Sequence, residues 1–336
     1  MFFLKNIILA IIHFVIGDWR YFLIGASHGR KEVVKHHYAI TGNGVKDSSV
    51  IFMANGYSWH GGLCDRLKGI VFTYKWCKDH NRRFYIKFNH PFELERYFKH
   101  NIYNWQIDDK DIHYNTEDAD VCYIMYDTSI SKYEKDGSLF RRIEQYLNKA
   151  ILGKNKQIHV YTNAYIESKK EFCELFSELF KPSVLVEKHL QKHLQILGNE
   201  YISISFRFVQ LLGDFKDTSG EVLDDIQSQN LIEHSLKVIE QLHEDYPQYL
   251  KIFVTADSHT FTDIAKKFDY VYVADGKVGH IDFENSDEVN IKTFVDFLLI
   301  AKAEKVFLAK SHKMYNSAFA KIASWSTNKP FERIDF

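Results

Sequence analysis

Tyr201-Ile-Ser-Ile-Ser-Phe-Arg207 is the stretch that says most about the fold of this chain and about its site. Large apolar residues alternate with serines up to position 206, a period that predicts a strand with one face in a core. Arg207 ends the strand, and the polar loop Gln210–Asp217 follows. In open α/β sheets, ligands bind outside the carboxyl ends of the strands, where the forked donors of arginine suit a phosphate or diphosphate. A structural salt bridge is the alternative role for Arg207.

The composition describes a globular protein that is too long for one ordinary domain. The chain has 336 residues, of which 46% are apolar and 26% charged, and this length predicts two domains. The net charge of −1 argues against a nucleic-acid surface. Four scattered cysteines form no C-x-x-C pair, which argues against a zinc or redox motif and fits a reducing compartment, most simply the cytoplasm.

The N-terminal segment 1–25 is the candidate for membrane contact. Met1–Ile16 is nearly all apolar, but its uninterrupted part is about half as long as a spanning helix requires. No Ala-x-Ala cleavage site follows, which argues against a secretory signal. Trp19-Arg-Tyr-Phe22 resembles an interfacial anchor. We expect either a helix on a membrane surface, at the inner face of the cell membrane, or a helix packed on the protein's own core.

Strand and helix patterns alternate through the rest of the chain. Residues 26–198 show strand patterns at Val50–Met53, Arg82–Phe88, Val121–Met125 and Ile158–Tyr161, and helical patterns from Leu63, at 138–150, at 166–180 and from Lys181-Pro182 to Leu197. Residues 199–336 show strand patterns at 201–207, 251–255, 270–273 and 305–309, and helical patterns at 228–243, 259–268, 289–302 and 314–325. This alternation predicts an α/β fold of two Rossmann-like, doubly wound domains, 26–198 and 199–336, that face each other across a cleft.

A glycine-containing loop in the first half is a candidate for anion binding. It runs from Tyr57 through Gly61 and Gly62 to Arg66, from a strand end into a helix N-terminus. Adjacent glycines let backbone N–H groups approach a ligand, and the helix dipole favours an anion there. An ordinary tight loop explains the glycines equally well. Arg66 in the first helical turn opposes the dipole preference for acidic residues, which hints at an anionic partner.

The C-terminal part of the chain supplies a second candidate. Asp296 lies in an amphipathic helical segment, and Ser311-His312 follows the apolar strand Lys305–Ala309. A helix predicted to start near Met314 would direct its N–H groups toward whatever Ser311 touches, an arrangement typical of a phosphate site. Simple capping of that helix by Ser311 is the alternative.

In this order, these segments resemble the motifs of the GDP-fucose fucosyltransferase superfamily. That superfamily includes core α-1,6-fucosyltransferases, the rhizobial nodulation fucosyltransferase, bacterial α-1,2-fucosyltransferases and protein O-fucosyltransferases. The loop from Gly61 to Leu67 is similar to the family's N-terminal glycine-rich element. The family's His-x-Arg-Arg motif with its trailing acidic residues is similar to Ser203–Phe208 followed by Gly213-Asp214. Phe253-Val-Thr-Ala-Asp257 is similar to the strand and acidic turn between the other elements. The resemblance covers residues 50–325.

The resemblance implies a GT-B, inverting enzyme that needs no obligatory metal and uses GDP-fucose as donor. It implies that Asp296 reads guanine, that Ser311, fifteen residues later, holds the diphosphate, and that Arg207 neutralises charge on the leaving group. Ser205 stands where the family has histidine and Phe208 where it has a second arginine. These departures put the donor in doubt and leave a different nucleotide sugar as an alternative.

An inverting displacement also requires a base for the acceptor hydroxyl. Asp214 and Asp217, just past Arg207, are the candidates, with His60 as a weaker one. The expected acceptor is a glycan, in one version a lipid-linked unit of a surface polysaccharide.

Two rival functions compete with this interpretation. Asp118-Ala-Asp120 matches the Asp-x-Asp of metal-dependent GT-A transferases, but it precedes its strand, and an acidic turn explains it better. A membrane-associated, non-catalytic adaptor of a polysaccharide assembly complex is the other rival. The sequence contains no P-loop for ATP, no Gly-x-Gly-x-x-Gly after a strand for NAD and no Gly-x-Ser-x-Gly elbow of hydrolases.

Overall fold

The computed structural model describes residues 18–125, 138–215, 221–279 and 284–336. Along the chain, the helices are α1 (Asp18–His37), α2 (Leu63–Asp79), α3 (Ser138–Ile151), α4 (Lys169–Leu179), α5 (Val184–Leu197), α6 (Asp225–Asp245), α7 (His259–Ala265), α8 (Asp287–Lys302) and α9 (Phe319–Ser326). The strands are β1 (Val50–Ala54), β2 (Phe84–Phe88), β3 (Phe98–His100), β4 (Ala119–Ile124), β5 (Gln157–Thr162), β6 (Phe180–Pro182), β7 (Ile202–Phe206), β8 (Ile252–Ala256), β9 (Val271–Tyr272), β10 (Lys305–Lys310) and β11 (Phe331–Asp335).

The chain divides into two compact units, each built around a parallel sheet. The first comprises residues 1–61, 65–90 and 104–166, and the second comprises 62–64, 91–103 and 167–336. Helices α4 and α5 group with the second unit because they pack on α9 and α8 respectively. The division at residue 167 therefore differs from the sequence-based boundary at 198.

The sheet of the first unit has the strand order β2-β1-β5-β4, and all its pairs are parallel. Strand β1 is buried at every position, as expected for a central strand that has helices on both faces. Helix α1 packs on β4 through Ala26 and Val33, which are buried, and Gly29 lies so close to the Tyr123 ring that a Cβ would meet it at 2.3 Å. This part of α1 packs on the protein's own sheet. No helix in the described part of the chain is long and apolar enough to cross a membrane.

The sheet of the second unit has the strand order β11-β10-β7-β8-β9 and is also entirely parallel. The alternating Ile202, Ile204 and Phe206 of β7 belong to one buried core cluster together with Phe261 and Phe307. The predicted inward face of this strand is confirmed. Two parallel α/β sheets confirm the predicted fold class.

Two local predictions are wrong, and one strand was not predicted. No helix starts at Met314, because the chain turns there and α9 begins at Phe319. Lys181-Pro182 does not open a helix but ends β6, which pairs antiparallel with β3; α5 follows after Ser183, whose Oγ accepts from Val186 N. The edge strand β11 was not predicted, since its burial does not follow a clear alternation.

Candidate functional site

The carboxyl edge of the second unit's sheet contains a topological switch point. Strand β7 pairs with β8 on one side and with β10 on the other, and Phe206 is level with both Ala256 and Ala309. The chain therefore leaves neighbouring strands at Arg207, at Asp257 and at Lys310-Ser311, about 5 Å apart from strand to strand. The crevice between strands whose connections diverge is the usual ligand site of an open α/β sheet.

Arg207 is held at this edge by Asp257. Its Nη1 lies 3.1 Å from Asp257 Oδ2, and the arginine side chain is 21% exposed, while its guanidinium lies 4.6 Å from the centre of the Phe215 ring. Asp257 also accepts from the backbone N–H groups of Phe208 at 2.7 Å and Val209 at 2.8 Å. Burial raises the pKa of Asp257, against the opposing effects of Arg207 and these two amides. Arg207 thus makes the salt bridge that was its alternative role, yet it keeps one part of its side chain exposed.

Asp214 lies at the same edge and caps a helix. Its Oδ2 accepts from Ser258 Oγ and from Thr260 N, both at 2.8 Å, so it ties the loop after β7 to the start of α7. The side chain is exposed. Asp217, the other candidate base, lies outside the described residues.

A turn after β10 brings Ser311 beside the end of β7. Met314 N donates to Ser311 O at 3.2 Å, and Tyr315 N donates to Arg207 O at 3.1 Å. Ser311 is buried, and its Oγ has no hydrogen-bond partner among the described residues. His312 is exposed. Because α9 starts only at Phe319, the hydroxyl of Ser311 caps no helix.

Asp296 forms a second polar group, on helix α8. Its Oδ2 accepts from Lys292 Nζ, one helical turn earlier, and both residues are buried. Within the described structure, Asp296 Oδ1 has no hydrogen-bond partner. Burial raises the pKa of Asp296, and Lys292 opposes this shift. Tyr201 OH donates to Leu299 O at 2.7 Å, which places α8 over the face of β7 that carries Ser203 and Ser205.

Ser205 and Phe208, where the sequence departs from the family pattern, have structural roles. Ser205 Oγ lies 2.7 Å from Thr255 Oγ1 inside the sheet. Phe208 is fully buried, with its ring 4.9 Å from the ring of Phe261. A phenylalanine at this position completes the core, and the structure shows Ser205 bonded to the neighbouring strand.

The loop from His60 to Arg66 lies at the carboxyl end of β1. Gly61 has φ of +76°, and a Cβ there would come within 2.6 Å of Asp65 Oδ2, whereas a Cβ on Gly62 would meet no described atom within 4 Å. Arg66 is buried, with its guanidinium 5.4 Å from the centre of the Phe88 ring. Burial, assisted by the charge of Arg66, lowers the pKa of His60 to about 3. The turn therefore requires glycine at 61 only, and His60 is neutral at physiological pH.

Asp118 and Asp120 are both engaged by protein donors. Asp118 accepts from Asn43 N and Val45 N, each at 2.8 Å. Asp120 pairs with Arg30 at 2.7 Å and with Lys154 at 2.5 Å. These contacts argue against a metal-binding Asp-x-Asp. Asp118 lies in a turn, as expected, whereas Asp120 lies within β4 and does not precede its strand. Within the described ranges, no group of three or more His, Cys, Asp or Glu side chains could hold a metal ion.

Lys292 is the polar residue of this region that the sequence interpretation missed. It lies four residues before Asp296, and this spacing brings opposite charges together on a helix. The signal was present, but the surrounding apolar residues suggested a simple amphipathic helix, in which such a lysine would be exposed.

The fold is similar to that of solved fucosyltransferases. A structure of an Arabidopsis thaliana FUT1 mutant in complex with GDP matches 95% of this chain and 79% of its own, with a TM-score of 0.52 and 12% identity. NodZ alpha-1,6-fucosyltransferase soaked with GDP-fucose matches 83% of this chain and 92% of its own, with a TM-score of 0.52 and 14% identity. A selenomethionine form of NodZ from Bradyrhizobium also matches 83% of this chain and 92% of its own, with a TM-score of 0.50 and 13% identity. Comparisons of the sequence with family models and with curated proteins find no match.

Proposed function

We propose that this chain is an inverting glycosyltransferase that transfers a sugar from a GDP-sugar, GDP-fucose in the first instance, to a glycan hydroxyl. The observation that carries the proposal is that Arg207 and Ser311 follow the ends of neighbouring strands at a switch point, and that the buried Ser311 hydroxyl has no hydrogen-bond partner among the described residues. A cation and a hydroxyl donor there suit a diphosphate. The fold similarity to fucosyltransferases studied with GDP and GDP-fucose supports the donor class.

In the proposed reaction, the acceptor oxygen attacks C1 of the sugar from the face opposite the diphosphate. The bond from C1 to the diphosphate oxygen breaks, and GDP leaves with the bonding electrons. Arg207, held by Asp257, neutralises the charge that grows on the leaving diphosphate, which is stabilisation directed at the transition state. The Ser311 hydroxyl donates to a phosphate oxygen. These groups act without an obligatory metal.

Asp296 is the proposed reader of the base. Its free Oδ1 can accept from the N–H groups on the guanine edge, and Lys292 keeps the other oxygen occupied. Adenine lacks the N1–H donor of guanine, so this carboxylate is the proposed source of a preference for GDP over ADP.

The proton of the acceptor hydroxyl passes to Asp214 or Asp217. Both hydrogen bonds that Asp214 accepts converge on Oδ2 and stabilise the start of α7, so the cap competes with its use as a base. Separate Asp214→Asn and Asp217→Asn variants distinguish the two. Loss of turnover with unchanged GDP binding identifies the base.

The acceptor side of the proposal rests on the loop after β1. Trp59 is 72% exposed there, and the rings of His37 and Tyr57 stack at 3.8 Å between centroids. Ser58 Oγ lies 3.0 Å from Tyr123 OH. Exposed aromatic faces beside hydroxyl groups suit the mixed apolar and polar faces of a sugar ring, so a glycan hydroxyl is the proposed acceptor.

Another nucleotide sugar is the second candidate donor, because Ser205 and Phe208 lack the chemistry of the histidine and the second arginine that the family has at these positions. The non-catalytic adaptor is the rival from another class. We retain as proposals a cytoplasmic location at the inner face of the membrane and a lipid-linked acceptor. The apolar Met1–Ile16 motivates both and lies outside the described residues.

The test is to follow release of GDP from GDP-fucose with a panel of oligosaccharide acceptors, with and without EDTA. We expect EDTA-resistant, acceptor-dependent release that Arg207→Ala abolishes. Activity that needs an added divalent metal would contradict the proposed mechanism, and normal turnover of Arg207→Ala would contradict the site.

A further inference from the structure

A cavity of about 640 Å³ lies between α1, β4 and α3 in the first unit. Asp120 and Val121 begin the part of β4 that lines it, and Lys154 precedes β5. The cavity is therefore at the amino-terminal edge of this sheet, whereas the Gly61 loop follows the carboxyl end of β1. It is a different place from any ligand site at the carboxyl edge of the same sheet.

The described lining of this cavity is strongly basic. Arg30, Arg142, Lys149 and Lys154 contribute four positive charges, and Asp120 is the single carboxylate among them, which leaves a formal net charge of +3. Although burial acts in the other direction, Arg30 and Lys154 hold the pKa of Asp120 below its usual value. Both carboxylate oxygens of Asp120 already accept from these two cations.

Other polar side chains of the lining also carry hydrogen-bond donors. Arg142, Gln145 and Lys149 lie on one face of α3, since they are spaced three and four residues apart. Tyr146 adds a hydroxyl, and burial raises its pKa to about 12, so it stays protonated at neutral pH. Arg142 and Lys149 are exposed and can reach a ligand from solvent.

The apolar part of the lining and its position on α1 indicate where such an anion comes from. Leu23, Cys122 and Ile158 line the cavity beside the cations. Leu23 lies five residues after Asp18, about 8 Å along the helix. In the sequence, the nearly continuous apolar stretch Met1–Ile16 precedes Asp18. Basic and apolar side chains that line one pocket match the chemistry of a phospholipid surface, where charge and apolar burial act together.

We propose that this cavity binds a phosphate group, and that the phosphate belongs to the headgroup of an anionic membrane lipid. A soluble phosphate compound offers the same chemistry, and the test separates the two sources. The inference does not depend on the proposed transferase activity.

The test compares binding of the full chain to vesicles of phosphatidylcholine alone and to vesicles that also contain phosphatidylglycerol, by sedimentation. Inorganic pyrophosphate, titrated by calorimetry, represents the soluble source. The site variant is Arg142→Glu/Lys149→Glu. The matched control, Lys110→Glu/Lys170→Glu, changes the net charge equally at two side chains that are 76% and 80% exposed and outside the cavity.

We expect phosphatidylglycerol to strengthen vesicle binding, and the site variant to lose tenfold or more of that gain, because each basic group near an anionic surface strengthens binding several-fold. The control should change it less than twofold. Pyrophosphate binding that the site variant removes, without a phosphatidylglycerol effect, would support the phosphate site and assign it to a soluble compound. Equal losses in both variants, or binding of neither probe, would overturn the proposal. A neutral Arg142→Gln/Lys149→Gln variant, checked by its melting temperature, guards against misfolding.

Discussion

Replacing Asp296 by asparagine should weaken GDP binding by about 10- to 150-fold. The side chain keeps its size and one oxygen for Lys292, but the free acceptor Oδ1 becomes an NH₂ donor that faces the donor groups of guanine. The lost hydrogen bond to a charged acceptor is worth about 1.5–3 kcal/mol. Calorimetry with GDP and ADP measures the change, and we expect the preference for GDP over ADP to shrink by a similar factor.

The same substitution also affects stability, so it needs a control. Removing one partner of a buried ion pair costs about 3–5 kcal/mol of folding stability. The amide oxygen of asparagine can still accept a hydrogen bond from Lys292, so the loss should be smaller than this. Each kcal/mol lowers the melting temperature by about 2–4 °C in a domain of this size. Asp118→Asn, at a buried aspartate of the first unit, should lower the melting temperature without changing GDP affinity. An unchanged GDP affinity in a folded Asp296→Asn protein would refute the base-reading role.

Three further predictions concern single side chains. Ser311→Ala should weaken GDP binding by about 10- to 150-fold, the value of one hydrogen bond to a charged acceptor, and leave guanosine binding unchanged; an equal loss for guanosine would contradict a phosphate contact. Trp59→Ala should raise the KM for the acceptor, Trp59→Phe should restore it, and neither should alter GDP binding. Because burial holds the pKa of His60 at about 3, the unfolded state binds more protons than the folded state between pH 6.5 and 3, and stability should fall as the pH is lowered through this window. In His60→Phe, the melting temperature should depend less on pH within this window, and an unchanged dependence would show that His60 is not the cause.

The sequence predicted the sheets well because their central strands bury both faces. Strand β1 is apolar at every position, and β7 alternates isoleucine and phenylalanine with serine, so each pattern has one simple structural solution. Cys64, Cys77 and Cys122 are buried for a similar reason, since each lies in or beside an apolar run.

The parts that were predicted wrongly depend on contacts distant in sequence. Nothing near Met314 indicates that Tyr315 N donates to the backbone of Arg207, and that contact replaces the expected start of a helix. The pairing of β6 with β3 joins segments about 80 residues apart and converts Lys181-Pro182 from a helix start into a strand end. The use of Asp214 as a cap for α7 likewise depends on a helix more than 40 residues further on.

At the candidate site, sequence and structure supply different parts of the argument. The resemblance selected Asp296, and the strand end together with the resemblance selected Ser311; the structure adds that each has a buried oxygen without a partner among the described residues. The structure also adds Asp257 as the group that orients Arg207.

The most direct test is titration of the purified protein with GDP, UDP, ADP and CMP by calorimetry without metal, in parallel with Arg207→Ala. Asp257 keeps its two backbone donors when Arg207 is removed, so the variant should fold. We predict selective binding of GDP that the substitution removes. Preference for another of the four nucleotides would change the donor, and failure of all four to bind would contradict the transferase assignment and favour the adaptor.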